Sequence, residues 1–227
     1  MSREIELKVP ITEEQFEEIT GIIARKKSFG ALEIRSPARV IKSDEYFSLY
    51  RTHEERIKNN ELKVIRIRTE KSAPLEPSGI DMHGGNGDSE KSYFCIKRKT
   101  LENGAEFNTE HETYIENPDV LRAFFAAAGY VRWFSKTKDA VSVSCALTDV
   151  DFEAHLEIEK VNGLPYAEIE YIKEDFPCEK VRPLLERILA AFGIDSKKRD
   201  SRSWAEIIGE KKLMINRFAI DKTEIIK

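Results

Sequence analysis

Pairs of like charges, separated by a single residue, recur along this chain of 227 residues. In a β-strand the side chains of residues i and i+2 point to the same face, so each pair predicts two like charges that project together. The acidic pairs are Glu4/Glu6, Glu110/Glu112, Glu157/Glu159 and Glu168/Glu170. The basic pairs are Arg66/Arg68, Lys97/Lys99 and Lys136/Lys138, and Lys8 follows the first acidic pair at the same spacing.

The two kinds of pair bind different parts of one ligand. Carboxylates suit a hard divalent cation such as Mg²⁺ or Mn²⁺, which takes oxygen ligands. Arginine and lysine suit phosphate, arginine through its planar fork and lysine as a point charge. Acidic and basic pairs together therefore predict a site for a metal-bound polyphosphate, in which the metal bridges carboxylates and phosphoryl oxygens.

Strands are predicted where these charges alternate with apolar residues, and amphipathic segments between them predict helices. Thr12-Glu13-Glu14-Gln15 has the pattern of a capping box, and Asn117-Pro118 that of a capped helix start. Besides the opening strand, we predict strands at 44–49, 62–69, 92–100, 105–115, 153–161 and 166–172, two strand-like runs within 131–148, and helices at 13–27, 117–129, 179–192 and 203–211. About eight strands with helices between them predict an α+β fold on a largely antiparallel sheet or barrel.

The charged face of this sheet has two interpretations. For any single pair, a face of an antiparallel sheet turned to water is sufficient. For the whole set, the predicted helices cover the apolar face around Ile5, Ile67, Ile158 and Ile169, so the charged face becomes the inside of a curled sheet. A dry interior is untenable, because each buried unpaired charge costs several kcal/mol. The set therefore favours a wet channel that holds a highly charged ligand.

Bulk properties exclude several classes of protein. The net charge of −4 gives no sign of nucleic-acid binding, and three widely spaced cysteines form neither a metal pattern nor a disulfide framework. We see no signal peptide and no apolar run of membrane-spanning length, so we expect a cytoplasmic location and no membrane partner. We expect one domain over 1–210, a flexible loop at 70–91 and a C-terminal tail at 211–227. The oligomeric state stays open, with a homodimer among the options.

Several short motifs follow one another along nearly the whole chain. They are Glu4-x-Glu6-x-Lys8, "KSDEYF" (42–47), "VIRIR" (64–68), "CIK" (95–97), "EHET" (110–113), "SKTK" (135–138), "EKVNGLPYAEIE" (159–170) and "SRSWAEII" (201–208). The series resembles the CYTH family, also called triphosphate tunnel metalloenzymes. That family includes class IV adenylate cyclases, thiamine triphosphatases and inorganic tripolyphosphatases.

The resemblance implies an eight-stranded antiparallel β-barrel with helices on its outside, whose tunnel binds a triphosphate and Mg²⁺ or Mn²⁺. The implied metal ligands are Glu4, Glu6, Glu168 and Glu170, and the implied triphosphate contacts are Lys8, Arg66, Arg68 and Lys97, with Lys99, Lys136 and Lys138 as further substrate-binding residues. Lys138 stands where the family has arginine, so it keeps the charge but loses bidentate geometry. Glu159 stands where the family has aspartate and is expected to ligate metal or orient water. Glu110 and Glu112 are expected to ligate a second metal or to orient tunnel lysines.

Three functions remain open at this point. The first is metal-dependent hydrolysis of inorganic tripolyphosphate, a nucleoside triphosphate or thiamine triphosphate, with Lys8, Arg66, Arg68 and Glu159 as catalytic residues. The second is an adenylate cyclase that uses the same tunnel. The third is a non-catalytic binder of polyphosphate. We favour hydrolysis, because no residues that grip adenine can be identified and because carboxylates facing phosphate serve no purpose without a metal.

Overall fold

The computed structural model of the protein describes residues 2–61, 63–75, 89–102, 105–172 and 178–210. The strands are β1 (Ser2–Pro10), β2 (Ser28–Phe29), β3 (Leu32–Ser48), β4 (Lys63–Pro74), β5 (Ser89–Glu102), β6 (Ala105–Ile115), β7 (Val131–Leu147), β8 (Phe152–Val161) and β9 (Leu164–Tyr171). The helices are α1 (Glu13–Arg25), α2 (His53–Lys58), α3 (Pro118–Ala127), α4 (Cys178–Ala191) and α5 (204–210). A short 3₁₀ turn covers Ser196–Lys198.

Eight antiparallel strands close into a ring. Their order is β3-β4-β5-β6-β1-β9-β8-β7, and β7 pairs back with β3. The two-residue strand β2 pairs with β3 beside the ring. The pairing of β3 with β7 extends over both strands and changes register between Arg35 and Ala38 and between Tyr46 and Phe47. Such irregularities bend a strand and increase its twist, which helps a sheet to close on itself. The predicted α+β fold with an eight-stranded barrel is confirmed.

Helices cover the outer, apolar face of the ring. Ile19 and Ile23 of α1 and Leu185 and Ile188 of α4 belong to one buried cluster with the outward side chains of β1, β8 and β9. A smaller cluster forms on another side, where Phe125 of α3 stacks on Phe47 with ring centroids 4.8 Å apart. Because the apolar face of each strand is used outside, the alternating charged side chains point into the ring.

Some element boundaries differ from the predictions. Strands β4 and β5 extend into the predicted loop at 70–91, where Glu70 pairs with Lys91 and Lys71 with Glu90. The loop prediction was therefore too wide, and residues 76–88 lie outside the described residues. The two runs predicted within 131–148 are one strand, β7. Helix α2 was missed, although Thr52 and Glu55 form a capping box of the kind recognised for α1. The predicted tail at 211–227 also lies outside the described residues.

The apolar layer between ring and helices predicts a large loss of stability for Leu156→Ala. Leu156 is fully buried in the cluster that α1 and α4 cover, so its truncation leaves a cavity. We expect the free energy of unfolding, measured by urea denaturation, to fall by ~2–5 kcal/mol. Val120→Ala, on the exposed side of α3, is the control and should change stability by less than ~0.5 kcal/mol. A loss below ~1 kcal/mol for Leu156→Ala would contradict the position of this layer.

Candidate functional site

Charged side chains from strands that are not neighbours meet inside the ring. Lys97 of β5 contacts Glu4 of β1, Arg66 of β4 contacts Glu110 of β6, and Lys138 of β7 contacts Glu168 of β9. Contacts of this kind cross the interior, because each skips the strand between its partners. The buried charged residues are Glu4, Glu6, Lys8, Asp44, Arg56, Arg66, Glu110, Lys136, Lys138, Glu157 and Glu159. All of them except Arg56, Asp44 and Glu157 were predicted as site residues.

A first acidic cluster consists of Glu4, Glu6 and Glu170, with carboxylate oxygens within 4.8 Å of one another. The Nζ atom of Lys97 lies 2.9 Å from Glu4 Oε2 and 3.7 Å from Glu6 Oε2. Burial raises the pKa of the Glu4 carboxyl to about 7; Lys97 opposes this shift, and Glu170 and Glu110 reinforce it. Burial also raises the pKa of Glu170. Glu4 and Glu6 thus share the ammonium of Lys97 with Glu110, whose Oε2 lies 3.4 Å from it. The carboxylates outnumber the ammonium, so the cluster attracts further positive charge.

A second acidic cluster consists of Glu157, Glu159 and Glu168. Lys138 Nζ pairs with Glu168 and lies 2.6 Å from Glu159 Oε2, while Lys42 pairs with Glu157. Glu159 has no solvent exposure, and burial together with Glu168 raises its pKa to about 8, against the effect of Lys138. Neither oxygen of Glu159 accepts a well-formed hydrogen bond from the described residues. The contact that the described residues make to the Glu159 carboxyl group is thus the ammonium of Lys138.

Strand register separates two carboxylates that were expected to bind one metal together. Glu170 pairs with Glu6 of β1, whereas Glu168 pairs with Lys8, one step further along the same two strands. On the other side of β9, Glu168 lies opposite Glu157 of β8, whereas Glu170 lies opposite His155. Glu168 consequently belongs to the second cluster and Glu170 to the first.

A basic group surrounds Asp44, which the sequence analysis did not assign to the site. Arg68 donates to both carboxylate oxygens of Asp44, from Nε at 2.7 Å and from Nη2 at 2.9 Å, and Lys136 Nζ lies 3.7 Å away. Burial opposes ionisation of Asp44, but Arg68, Arg66 and Lys136 together hold its pKa well below the usual value. The "KSDEYF" motif contains Asp44, but its role depends on partners from β4 and β7 that sequence spacing does not reveal.

Arg66 is oriented by the pair Glu110 and Glu112. Its Nη2 donates to Glu110 Oε1 at 3.0 Å and to Glu112 Oε2 at 3.1 Å. Burial opposes ionisation of Glu110, yet Lys97 and Arg66 lower its pKa to about 2. The Nε of Arg66 is buried and finds no acceptor among the described residues. An unused donor on a fixed guanidinium is suited to an incoming anion.

Trp204 of α5 lies over the lysines at one end of the interior. The centroid of its ring is 5.1 Å from Lys8 Nζ, 5.2 Å from Lys136 Nζ and 5.9 Å from Lys138 Nζ. Its indole Nε1 donates to Glu168 Oε1 at 2.8 Å. The "SRSWAEII" motif had indicated this segment, but no role for the tryptophan had been predicted. The contacts place a cation-binding aromatic face against three candidate phosphate ligands.

A cavity of about 570 Å³ is lined by residues of β3, α3 and β7. Its lining includes Arg122 and Arg132, which both pair with Glu45, at 2.6 and 2.7 Å. Asp119 also pairs with Arg122, at 2.7 Å, so two carboxylates balance the two guanidiniums. This cavity is therefore a weaker candidate for binding a charged ligand than the interior of the ring. Among the described helices, none has the length and apolar character needed to cross a membrane.

Several solved structures share this architecture. No family model matches the chain, and no curated protein matches it. Among solved structures, PH1819 from Pyrococcus horikoshii OT3 is 20% identical with a TM-score of 0.66, covering 92% of this chain and 99% of that one. A conserved hypothetical protein from Pyrococcus furiosus is 20% identical with a TM-score of 0.57, covering 89% and 98%. A "putative adenylate cyclase" from Vibrio parahaemolyticus is 16% identical with a TM-score of 0.57, covering 91% and 97%. The chain shares the fold of these three proteins.

The interior of the ring brings together most of the residues that the motifs indicated. Lys8, Lys136 and Lys138 meet under Trp204, Arg66 and Arg68 lie side by side on β4, and Lys97 lies among the carboxylates. Lys99 is on β5 opposite Asn108, and its side chain lies outside the described part of the structure. The metal and phosphate roles of all these residues stay predictions.

The donor set inside the ring fits a hard divalent cation. The first cluster offers three carboxylates, and oxygen ligands of this type are those that Mg²⁺ and Mn²⁺ prefer. The side-chain oxygen of Asn108, next to this cluster, accepts no hydrogen bond from the described residues. An unpaired buried acceptor of this kind costs ~1–3 kcal/mol. Each cluster also contains the ammonium of one lysine, Lys97 in the first and Lys138 in the second.

Lys136 in the tunnel predicts a pH-dependent stability. Burial, reinforced by Lys138, lowers its pKa from 10.5 to about 7, although Asp44 opposes the shift. The folded protein therefore binds fewer protons than the unfolded chain between these pH values, and stability rises with pH across that interval. We expect Lys136→Met to exceed the parent in free energy of unfolding by ~1 kcal/mol or more at pH 7, with the difference shrinking towards pH 10. Urea denaturation measures this, with Lys180→Met on α4 as the control. A difference independent of pH would contradict it.

Proposed function

We propose that the protein is a divalent-metal-dependent triphosphatase that hydrolyses its substrate inside the tunnel. The observation that carries the proposal is the position of a three-carboxylate cluster beside a buried group of arginines and lysines within one closed ring. A metal-bound triphosphate needs both kinds of group at once. Candidate substrates are inorganic tripolyphosphate, a nucleoside triphosphate and thiamine triphosphate. The proposed partner is thus a small molecule and not a nucleic acid.

The proposal gives metal binding to one set of side chains and phosphate binding to another. Glu4, Glu6 and Glu170 would hold Mg²⁺ or Mn²⁺, and Glu168 of the second cluster is the further carboxylate that the motifs indicated. A cation held by Glu4, Glu6 and Glu170 would polarise a phosphoryl oxygen as a Lewis acid and would lower the pKa of a bound water molecule. The basic residues Lys8, Arg66, Arg68, Lys97, Lys99, Lys136 and Lys138 would bind the phosphate chain.

The arginines have the clearest catalytic task. Asp44 holds the Arg68 guanidinium by two hydrogen bonds, and Glu110 with Glu112 hold that of Arg66. Donors fixed in advance stabilise charge that develops on phosphoryl oxygens without having to reorganise. Glu159 contacts the ammonium of Lys138, and burial raises the pKa of Glu159 to about 8. A carboxyl group with a pKa close to neutral is suited to exchange a proton with a water molecule or to orient one.

An adenylate cyclase is the second candidate. It is favoured by the Vibrio neighbour, which shares the fold and carries the name of such an enzyme, at 16% identity. In that reaction a ribose hydroxyl attacks the α-phosphorus and pyrophosphate leaves. The charged groups of the tunnel serve both reactions, because both develop negative charge on phosphoryl oxygens. The two differ in their products.

A non-catalytic polyphosphate binder is the third candidate and has the least support. The basic group alone would suffice for it. The carboxylates of Glu4, Glu6 and Glu170 would repel phosphate in the absence of a metal, so they would weaken a pure binder.

A product assay tests the three candidates together. The protein is incubated with Mg²⁺ or Mn²⁺ and, in separate reactions, tripolyphosphate, ATP and thiamine triphosphate, with a chelator as the metal-free control. Orthophosphate release that needs the metal is the expected result. Formation of cyclic AMP and pyrophosphate from ATP would show that the protein is an adenylate cyclase and not a hydrolase. Tight triphosphate binding that persists without metal, with no product formed, would establish the binder instead.

A further inference from the structure

Asn108 lies at the edge of the first acidic cluster. It is on the inward face of β6, directly opposite Glu4 in the antiparallel pair that β6 forms with β1. Its side chain is 1% exposed, and Nδ2 donates to Glu6 Oε2 at 3.4 Å. The carboxamide is therefore within one hydrogen bond of the carboxylates that are proposed to hold the cation.

The oxygen of this carboxamide has no partner among the described residues. Nearly all buried polar atoms are paired, so an exception of this kind needs an explanation. Rotating the amide by half a turn does not supply one, because the oxygen would then face the Glu6 carboxylate and two acceptors would meet. Asn108 thus presents an unused acceptor inside a negatively charged pocket.

The surroundings determine what can satisfy this oxygen. Either a hydrogen-bond donor or a cation can pair with the oxygen. The three neighbouring carboxylates repel an anionic ligand. Amide oxygens are among the hard ligands that Mg²⁺ and Mn²⁺ take in proteins. We propose that Asn108 Oδ1 is a ligand of the divalent cation that Glu4, Glu6 and Glu170 hold. The proposal rests on the proposed function, which places a cation at these carboxylates.

A neutral ligand distinguishes the first cluster from the second. Each cluster contains the ammonium of one lysine, Lys97 in the first and Lys138 in the second. The second cluster also pairs with Lys42 and accepts a hydrogen bond from Trp204, and these donors occupy carboxylate lone pairs that a metal would need. Beside the first cluster, Asn108 instead adds an oxygen without adding charge, so it favours the first cluster as the place where the cation binds.

The test follows the side-chain amide of Asn108 directly in the parent protein. Its ¹H–¹⁵N signal is identified by its absence from the spectrum of Asn108→Asp, and Mg²⁺ is then titrated without any triphosphate. We expect the signal to shift and to saturate at the Mg²⁺ concentration at which calorimetry shows binding. The amides of Asn117 and Asn162, whose oxygens accept backbone N–H groups at a helix start and at a strand end, are internal controls and should not move.

Calorimetry with Mn²⁺ on two variants separates this proposal from the proposed function. We expect Asn108→Leu to weaken Mn²⁺ binding ~10-fold and Glu6→Gln to weaken it at least as much. An unmoved Asn108 signal, with Asn108→Leu binding Mn²⁺ like the parent and Glu6→Gln binding it poorly, would overturn the role of Asn108 alone. If Glu6→Gln also bound Mn²⁺ like the parent, the proposed function would fail. Should Asn108→Leu not fold, the signal in the parent protein decides.

Discussion

Replacing Glu6 by glutamine is expected to lower metal-dependent turnover at least ~100-fold while the protein stays folded. Glu6 pairs with Glu170 across β1 and β9 and belongs to the cluster of three carboxylates inside the ring. Glutamine keeps the shape of the side chain and removes the charge that a divalent cation requires. Steady-state phosphate release at saturating triphosphate and increasing Mg²⁺ measures the effect, and circular dichroism checks the fold.

The matched control for this variant is Glu33→Gln. It makes the same chemical change on β3 at a half-exposed carboxylate that pairs with Arg35. We expect its turnover to remain within ~2-fold of the parent, as for surface substitutions in general. Activity of Glu6→Gln equal to that of Glu33→Gln would remove Glu6 from the metal site.

Replacing Lys97 by methionine is expected to change metal binding and turnover in opposite directions. The ammonium of Lys97 lies among Glu4, Glu6 and Glu110, at distances of 2.9 to 3.7 Å from their oxygens. A divalent cation that enters this cluster must overcome repulsion from that ammonium. Without it, we expect Mn²⁺ to bind ~10-fold more tightly in the absence of triphosphate. Turnover should nevertheless fall ~100-fold, because a positive charge that stabilises the phosphoryl group is lost.

Calorimetry with Mn²⁺ and phosphate release measure the two effects on the same protein preparations. Lys160→Met is the control, since Lys160 pairs at 2.8 Å with Glu13 of α1, on the outside of the ring. Lys97→Arg restores the charge and should return Mn²⁺ affinity towards that of the parent. Weaker Mn²⁺ binding by Lys97→Met would show that Lys97 supports the carboxylates in another way.

Alternation along single strands made the inward face predictable. Two acidic residues, Glu4 and Glu6, flank Ile5, and two arginines, Arg66 and Arg68, flank Ile67. The two isoleucines are buried on the opposite face, so the charged residues share the inward face. The period of a strand is a local property, so short stretches of sequence suffice to reveal it. Likewise, the capping box at Thr12 located the start of α1 to within a residue.

Contacts between distant strands were beyond such local patterns. The separation of Glu168 from Glu170 depends on the register of β1 against β9, which brings Lys8 opposite one and Glu6 opposite the other. The roles of Asp44 and Trp204 likewise depend on partners far away in the chain. The extra length of β4 and β5 was hidden because their outer ends are rich in polar residues and include Pro74, which resembles a loop in composition.

The place of β1 within the ring has a consequence for synthesis of the protein. Although β1 is translated before the other described strands, its two neighbours are β6 and β9, and β9 is the last of those strands to be translated. One edge of β1 therefore stays without its partner until Leu164–Tyr171 has been translated. Such long-range closure is slow, and an open strand edge exposes a growing chain to aggregation. The nascent polypeptide thus carries Glu4 and Glu6 long before β9 completes their surroundings.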